Sequence, residues 1–246
     1  MTLAYLVKSN RMIRKLIRAL GYEVIKSKRS PTFESHLQTL FNRNHFDLVI
    51  DVGANKGQFG LMLRQLGYRG EIMSFEPVSS TFNGLKDTAK LDPKWHVFNL
   101  ALGESKEQKK INVFASSDFS SLLKPSTFGV KTFEQLGALT EELINIDSLD
   151  NFMLAYAAAN YRRIMLKMDT QGFDLAVFRG AKNSLSAVHS VVSEISLAPI
   201  YDGMPDYHAA LAEYESAGFC ITGLYPVTRK ENLAIIEMDC VMIKES

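Results

Sequence analysis

Asp47-Leu48-Val49-Ile50-Asp51-Val52-Gly53-Ala54-Asn55-Lys56-Gly57-Gln58-Phe59-Gly60 decides the fold. An apolar run ends in an acid and opens into a glycine-rich turn. Phe59, Leu61, Met62, Leu63 and Leu66 follow at helical spacing. The stretch therefore reads as a strand, a tight turn and a helix N-terminus. Glycines in such a turn let the backbone approach a ligand closely, because no Cβ intervenes.

The spacing separates two ligand classes. A dinucleotide fingerprint is G-x-G-x-x-G, with the pyrophosphate on the helix N-terminus. Here the glycines are Gly53, Gly57 and Gly60, with Asp51 two residues ahead of the first. An acid at the strand tip repels a pyrophosphate and suits a cationic group such as an amino-acid ammonium. S-adenosylmethionine carries an ammonium and a sulfonium and has no phosphate. D-x-G-x-x-x-G is the nucleotide-loop pattern of Rossmann-like methyltransferases. On this reading Asp51, Gly53, Asn55 and Gly57 face the cofactor.

Outward from the turn, Glu71–Phe75 reads as a second strand ending in Glu76-Pro77. A carboxylate at that tip is placed to take the two hydroxyls of a ribose. A helix over Ser79–Lys90 and a strand over Trp95–Asn99 follow. Asn99 and the backbone after it, to Ala101, are placed to line an adenine slot, and His96 reads as structural. Ile111–Phe114 and Leu143–Ile146 read as short strands. The polar loop Ser116–Leu122 reads either as a cover for the cofactor or as a plain turn. Asp147 or Ser148 caps a helix running through Ala159.

Ile164–Met168 is a buried strand that ends at Asp169, and a helix carrying Leu175, Val177, Phe178 and Leu185 follows. Asp169 thus shares the sheet edge with Asp51 and Glu76, on the methyl-accepting side. Lys167 reads as the partner of an acid. Val188–Ile195 is a further strand, and Glu194 is an acid in an apolar run that needs a partner. The aromatic loop 198–208 reads as a lid, with His208 as a candidate base. A helix over Tyr207–Ala217 precedes strands around Phe219–Leu224 and Ile235–Ile243, an antiparallel hairpin at the sheet edge.

The chain has 246 residues with 28 Lys and Arg against 27 Asp and Glu, so it carries no nucleic-acid footprint as a whole. Cys220 and Cys240 read as strand thiols without metal-ligand spacing. No stretch reaches the roughly 18 apolar residues of a membrane span. The expected location is the cytoplasm, or the inner face of the membrane. Residues 1–30 are basic, with Leu3, Leu6, Val7, Ile13, Leu16, Ile17 and Leu20 at near-helical spacing. That helix packs on its own domain, forms a homodimer, or meets anionic lipid or an anionic lipid-linked substrate; all three stay open. A second helix, Phe33–Asn42, leads into the core.

The chain resembles the FkbM family of methyltransferases. The matching pieces are Val49–Gly57, Phe75-Glu76-Pro77, Asn99–Gly103, Ser120-Ser121-Leu122, Ile146–Asp150 and Leu166–Asp174. Asp174 stands where the family more often has Glu, and Thr228–Asn232 matches only loosely. The resemblance implies a class I, Rossmann-like α/β fold: a mostly parallel seven-stranded sheet with an antiparallel edge hairpin. It places an N-terminal helical extension at residues 1–44 and the methyltransferase domain at 45–246. It also implies S-adenosylmethionine as cofactor and O-methylation of a hydroxyl on a sugar or secondary metabolite, commonly in glycolipid or polysaccharide pathways. Asp169 is the first candidate base, then Glu194 and His208. No His/Asp cluster requires a metal, and a divalent ion that acidifies the hydroxyl is the open alternative. The rival readings are a non-catalytic scaffold that binds a partner or membrane, and a dinucleotide oxidoreductase.

Overall fold

The computed structural model describes residues 15–21, 31–114, 116–137, 139–156 and 161–244. Of the basic N-terminal segment, residues 15–19 are helical, with Leu16 and Leu20 exposed; the rest of it lies outside the described residues.

β1 (Leu48–Val52) is buried along its whole length. A central parallel strand has both faces covered, so its sequence is apolar without alternation. Successive side chains still go to opposite faces. Leu48, Ile50 and Val52 join Leu166, Val177, Phe178 and Tyr214 in one core. Val49 joins Leu37, Leu63, Ile72 and Leu85 in the other. The result is a three-layer α/β/α sandwich.

The main sheet is completed by β2 (Glu71–Phe75), β3 (Trp95–Phe98), β7 (Ile164–Met168), β8 (Val188–Ser196), β9 (Phe219–Arg229) and β10 (Ile235–Lys244), in the order β3-β2-β1-β7-β8-β10-β9. The pairs from β3 to β8 are parallel, and β10 runs antiparallel between β8 and β9. The expected mostly parallel sheet with an edge hairpin is what forms. Strand order reverses direction between β1 and β7, and ligands bind outside the carboxyl ends of strands at such a switch point.

Beyond residue 30 the α-helices among the described residues are α1 (Phe33–Asn44), α2 (Gln58–Gln65), α3 (Ser79–Ala89), α4 (Thr127–Thr132), α5 (Leu149–Tyr156), α6 (Asp174–Arg179) and α7 (Tyr207–Ser216). The side chain of Ser148, rather than Asp147, accepts the N–H of Asn151 in the first turn of α5. α6 is shorter than its apolar spacing predicts: it ends before Gly180, and Leu185 falls in a separate 3-10 turn.

The strands expected at Ile111–Phe114 and Leu143–Ile146 form, longer than expected, as part of a second sheet whose pairing the sequence does not reveal. β4 (Ala101–Gly103), β5 (Glu107–Phe114) and β6 (Leu139–Ser148) pair in the order β4-β6-β5. Its core is Val78, Ala101, Ile111, Ile144 and Ile146. β5 starts Glu-Gln-Lys-Lys with its first half largely exposed, so the apolar signal begins only at Ile111.

Candidate active site

β1, β2 and β7 end level, because Val52 pairs with both Phe75 and Met168. The residues that follow, Gly53, Glu76 and Asp169, open into one cavity of about 430 Å³. Gly53 is left-handed at φ +73, and a Cβ there would stand 1.8 Å from the Asp169 carbonyl oxygen. Only glycine lets these two turns pass at that distance. Asn55 is also left-handed, at φ +47.

Glu76 is buried, with 6% of its surface exposed. Its Oε2 accepts the Asn55 N–H at 3.0 Å and its Oε1 accepts the Val78 N–H at 2.9 Å. Each oxygen keeps a lone pair for a ribose hydroxyl. Leu100, Ala101 and Leu102 add apolar wall beside it. The Ser117 hydroxyl donates to Asn55 Oδ1 at 2.9 Å, and the Asn55 amide donates to Asp118. Ser117, Asp118, Ser120 and Leu122 line the cavity, so this loop covers the site and is not a plain turn.

The other end is built by β7, β8 and β10. Asp169, Gln171, Glu194 and Asp239 line it together with Lys167. Glu194 and Asp239 are directly opposite in the antiparallel register, so two carboxylates share a face. Gln171 Nε2 donates to Asp169 Oδ1 at 3.2 Å and to Glu194 Oε2 at 2.9 Å. Phe33 of α1 reaches the same wall, edge-on to Tyr225, which pairs with Asp239.

Four expected site residues fall outside the lining. Asp51 is fully buried beneath the cavity. Its Oδ1 lies 3.1 Å from Lys167 Nζ, and its Oδ2 accepts the Ser74 hydroxyl at 3.2 Å. The acid expected to meet an ammonium is therefore already paired, because Asp51 and Lys167 are register partners. Gly57 starts α2 at φ +92, with its missing Cβ site against Leu85, Thr88 and Trp95, so its role is packing. Asn99 donates its amide to the Glu76 and Pro77 carbonyls at 3.0 and 2.9 Å. It fixes the turn that carries Glu76. His208 is exposed on the first turn of α7, with Nδ1 3.0 Å from Asp206 Oδ1. It is outside the cavity lining, since Asp206 caps that helix and turns it to solvent.

Asp239, Phe33 and Gln171 were missed. Asp239 carries the same signal as Glu194, an acid inside an apolar strand. Phe33 gives no such signal, because a helix face does not reveal what lies across from it.

Lys167 is 8% exposed, 3.4 Å from Asp169 Oδ2, and donates to the Gly53 carbonyl at 3.2 Å. Burial disfavours its charge, but Asp51 and Asp169 overcome this and hold its pKa above the ordinary value. Lys167→Met is expected to destabilise the fold by about 3–5 kcal/mol, because it strands a buried carboxylate. Adding Asp51→Asn recovers most of that loss. Urea midpoints of the two variants check both statements.

Burial pushes Glu76 up to about 7, against the N–H groups of Val78 and Asn55 that lower it. Burial, then the neighbouring Asp169 charge, pushes Asp239 up to about 6. Burial, then Asp169, Glu237 and Asp239, raises Glu194 well above the ordinary carboxylate range. The Glu76 and Asp239 values exceed their unfolded ones, so the stability those two groups confer is full below about pH 4 and is lost as pH rises through 6 to 7. Glu76 alone contributes roughly 3 kcal/mol to this difference. The ligand-free protein is expected to show a falling thermal midpoint from pH 5 to pH 8, read by circular dichroism.

The residues present fit S-adenosylmethionine. Gly53 lets its turn close against the Asp169 turn at the cavity wall, Glu76 offers a paired acceptor, and the acidic lining suits a cation and repels a phosphate. Among the described residues no group of His, Cys, Asp and Glu is arranged to hold a metal ion. No helix among them is long and apolar enough to cross a membrane.

A family model described as the methyltransferase FkbM domain matches residues 51–221. The chain belongs to this family and is an S-adenosylmethionine-dependent methyltransferase. The comparison with curated proteins gives no match. Solved structures that share the fold include two methyltransferases. Magnesium protoporphyrin IX methyltransferase from Synechocystis PCC 6803, with bound S-adenosylmethionine, is 9% identical at TM-score 0.48 over 85% of this chain and 76% of that one. An rRNA methylase from Streptococcus thermophilus is 10% identical at TM-score 0.46 over 86% and 96%.

Proposed function

We propose that the protein is an O-methyltransferase acting on a sugar hydroxyl, in a glycolipid, a polysaccharide or a glycosylated metabolite. The observation that carries this reading is the position of Asp169. It stands at the tip of β7, in the same cavity as Glu76 and next to the Gly53 turn.

When bound, S-adenosylmethionine supplies an electrophilic methyl group and leaves as a neutral thioether. A sugar hydroxyl is a weak nucleophile, so a base that takes its proton as the C–O bond forms speeds the reaction. Asp169 is that base, and Lys167 holds it from behind at 3.4 Å. Glu76 and the Gly53-Ala54-Asn55 turn hold the cofactor. Glu194 and Asp239 offer hydrogen-bond partners to further hydroxyls, and the rings of Phe33 and Phe59 offer apolar faces to the sugar. The Asp169 and Asp239 carboxylates repel phosphates, which disfavours a nucleic-acid acceptor.

The test is incubation with methyl-labelled S-adenosylmethionine and a panel of methyl glycosides, with catechol and an RNA oligonucleotide as controls. Label in an alkali-stable sugar ether supports the reading. Label only in catechol or RNA overturns it.

A further inference from the structure

Gln171 is held at every polar atom that could fix it. Its backbone is left-handed at φ +53. Its carbonyl accepts the Ser121 hydroxyl at 2.7 Å. Its side-chain Oε1 lies 3.0 Å from the hydroxyl of buried Tyr201, whose single proton is shared between that oxygen and the Phe119 carbonyl at 2.8 Å. With its oxygen turned to Tyr201, the amide has only its NH2 to present on the other side, and there it meets two carboxylates, Asp169 and Glu194.

The surroundings of those two acids are unequal. Asp169 has the Lys167 ammonium at 3.4 Å. Glu194 faces Asp169 from β7, Asp174 from α6, and Glu237 and Asp239 from β10. Burial and these acids favour the neutral form of Glu194, and because its Oε2 accepts the amide N–H, Oε1 is left to carry the proton.

We propose that Gln171 is a positioning residue for methyl transfer: its amide bridges Asp169 and Glu194 and fixes the two carboxyls side by side, Asp169 the base and Glu194 the hydrogen-bond donor. The proposal rests on Asp169 being the base. It assigns Glu194 a different task, donating a hydrogen bond where Asp169 accepts one. A base and a donor side by side suit an acceptor with two neighbouring oxygens, one reacting and one held.

The test uses the full chain with isotope-labelled glutamate carboxyls, titrated by NMR, with Glu194→Gln to assign the Glu194 signal. Gln171→Gly removes the amide but accepts the left-handed backbone, so the loop is retained. Unchanged S-adenosylhomocysteine affinity in Gln171→Gly verifies that. Losing one hydrogen bond to a charged form moves the Glu194 midpoint up by about one pH unit. A midpoint that stays in place in Gln171→Gly overturns the proposal, and so does an ordinary acidic midpoint for Glu194 in the unmodified protein. The titration needs no acceptor, so its outcome holds whatever the substrate. If Asp169→Asn keeps full turnover, the base assignment falls while the bridged pair stands or falls on the titration alone.

Discussion

Glu76→Ala is expected to raise the dissociation constant for S-adenosylhomocysteine at least about a hundredfold, from two lost hydrogen bonds to a charged acceptor at roughly 1.5–3 kcal/mol each. The variant also frees the N–H groups of Asn55 and Val78, which Glu76 now holds. The Asn55 turn then loses its anchor as well as its ligand contact. Glu76→Gln keeps one acceptor and is expected to fall between the two proteins. Calorimetric titration reads both. Tight binding by folded Glu76→Ala would place the ribose elsewhere. Binding also depends on pH: Glu76 sits near 7 without ligand, and its protonated form has lost an acceptor. Affinity is expected to weaken below pH 7.

Asp169→Asn is expected to lower kcat by about 10²–10⁴-fold, the usual contribution of a general base. S-adenosylhomocysteine affinity should hardly change. The variant preserves shape, and Lys167 keeps its contact with Asp51. Initial rates with labelled cofactor and the accepted glycoside measure the first quantity, and calorimetry the second. Turnover close to that of the unmodified protein would remove Asp169 from the chemistry.

The strand tips were legible because each is an apolar run closed by an acid. That pattern places Glu76 and Asp169 on one edge without any knowledge of contacts. What it leaves out is register. Asp51 and Lys167 face each other only because β1 and β7 pair as they do, and nothing local to either residue reveals it. The same limit hid the second sheet, whose exposed half of β5 carries no apolar period. It also hid Gln171, whose neighbours come from four separate segments. His208 illustrates the opposite error: its chemistry suits a base, but an aspartate two residues earlier caps the helix and keeps its ring in solvent.

Phe33 and Asp239 have one more property in common. Both lie outside residues 51–221, the part of the chain that the family model matches, yet both line the end of the cavity that holds Asp169 and Glu194. The end of the cavity beyond the Gly53 turn is thus built from both: Asp169, Gln171 and Glu194 come from the matched part, and Phe33 and Asp239 from its flanks. On the proposed function, changes confined to α1 and β10 are expected to alter acceptor choice while the Gly53–Asn55 turn and Glu76 stay untouched. Exchange of those two elements between relatives, read by the acceptor each hybrid methylates, tests that expectation.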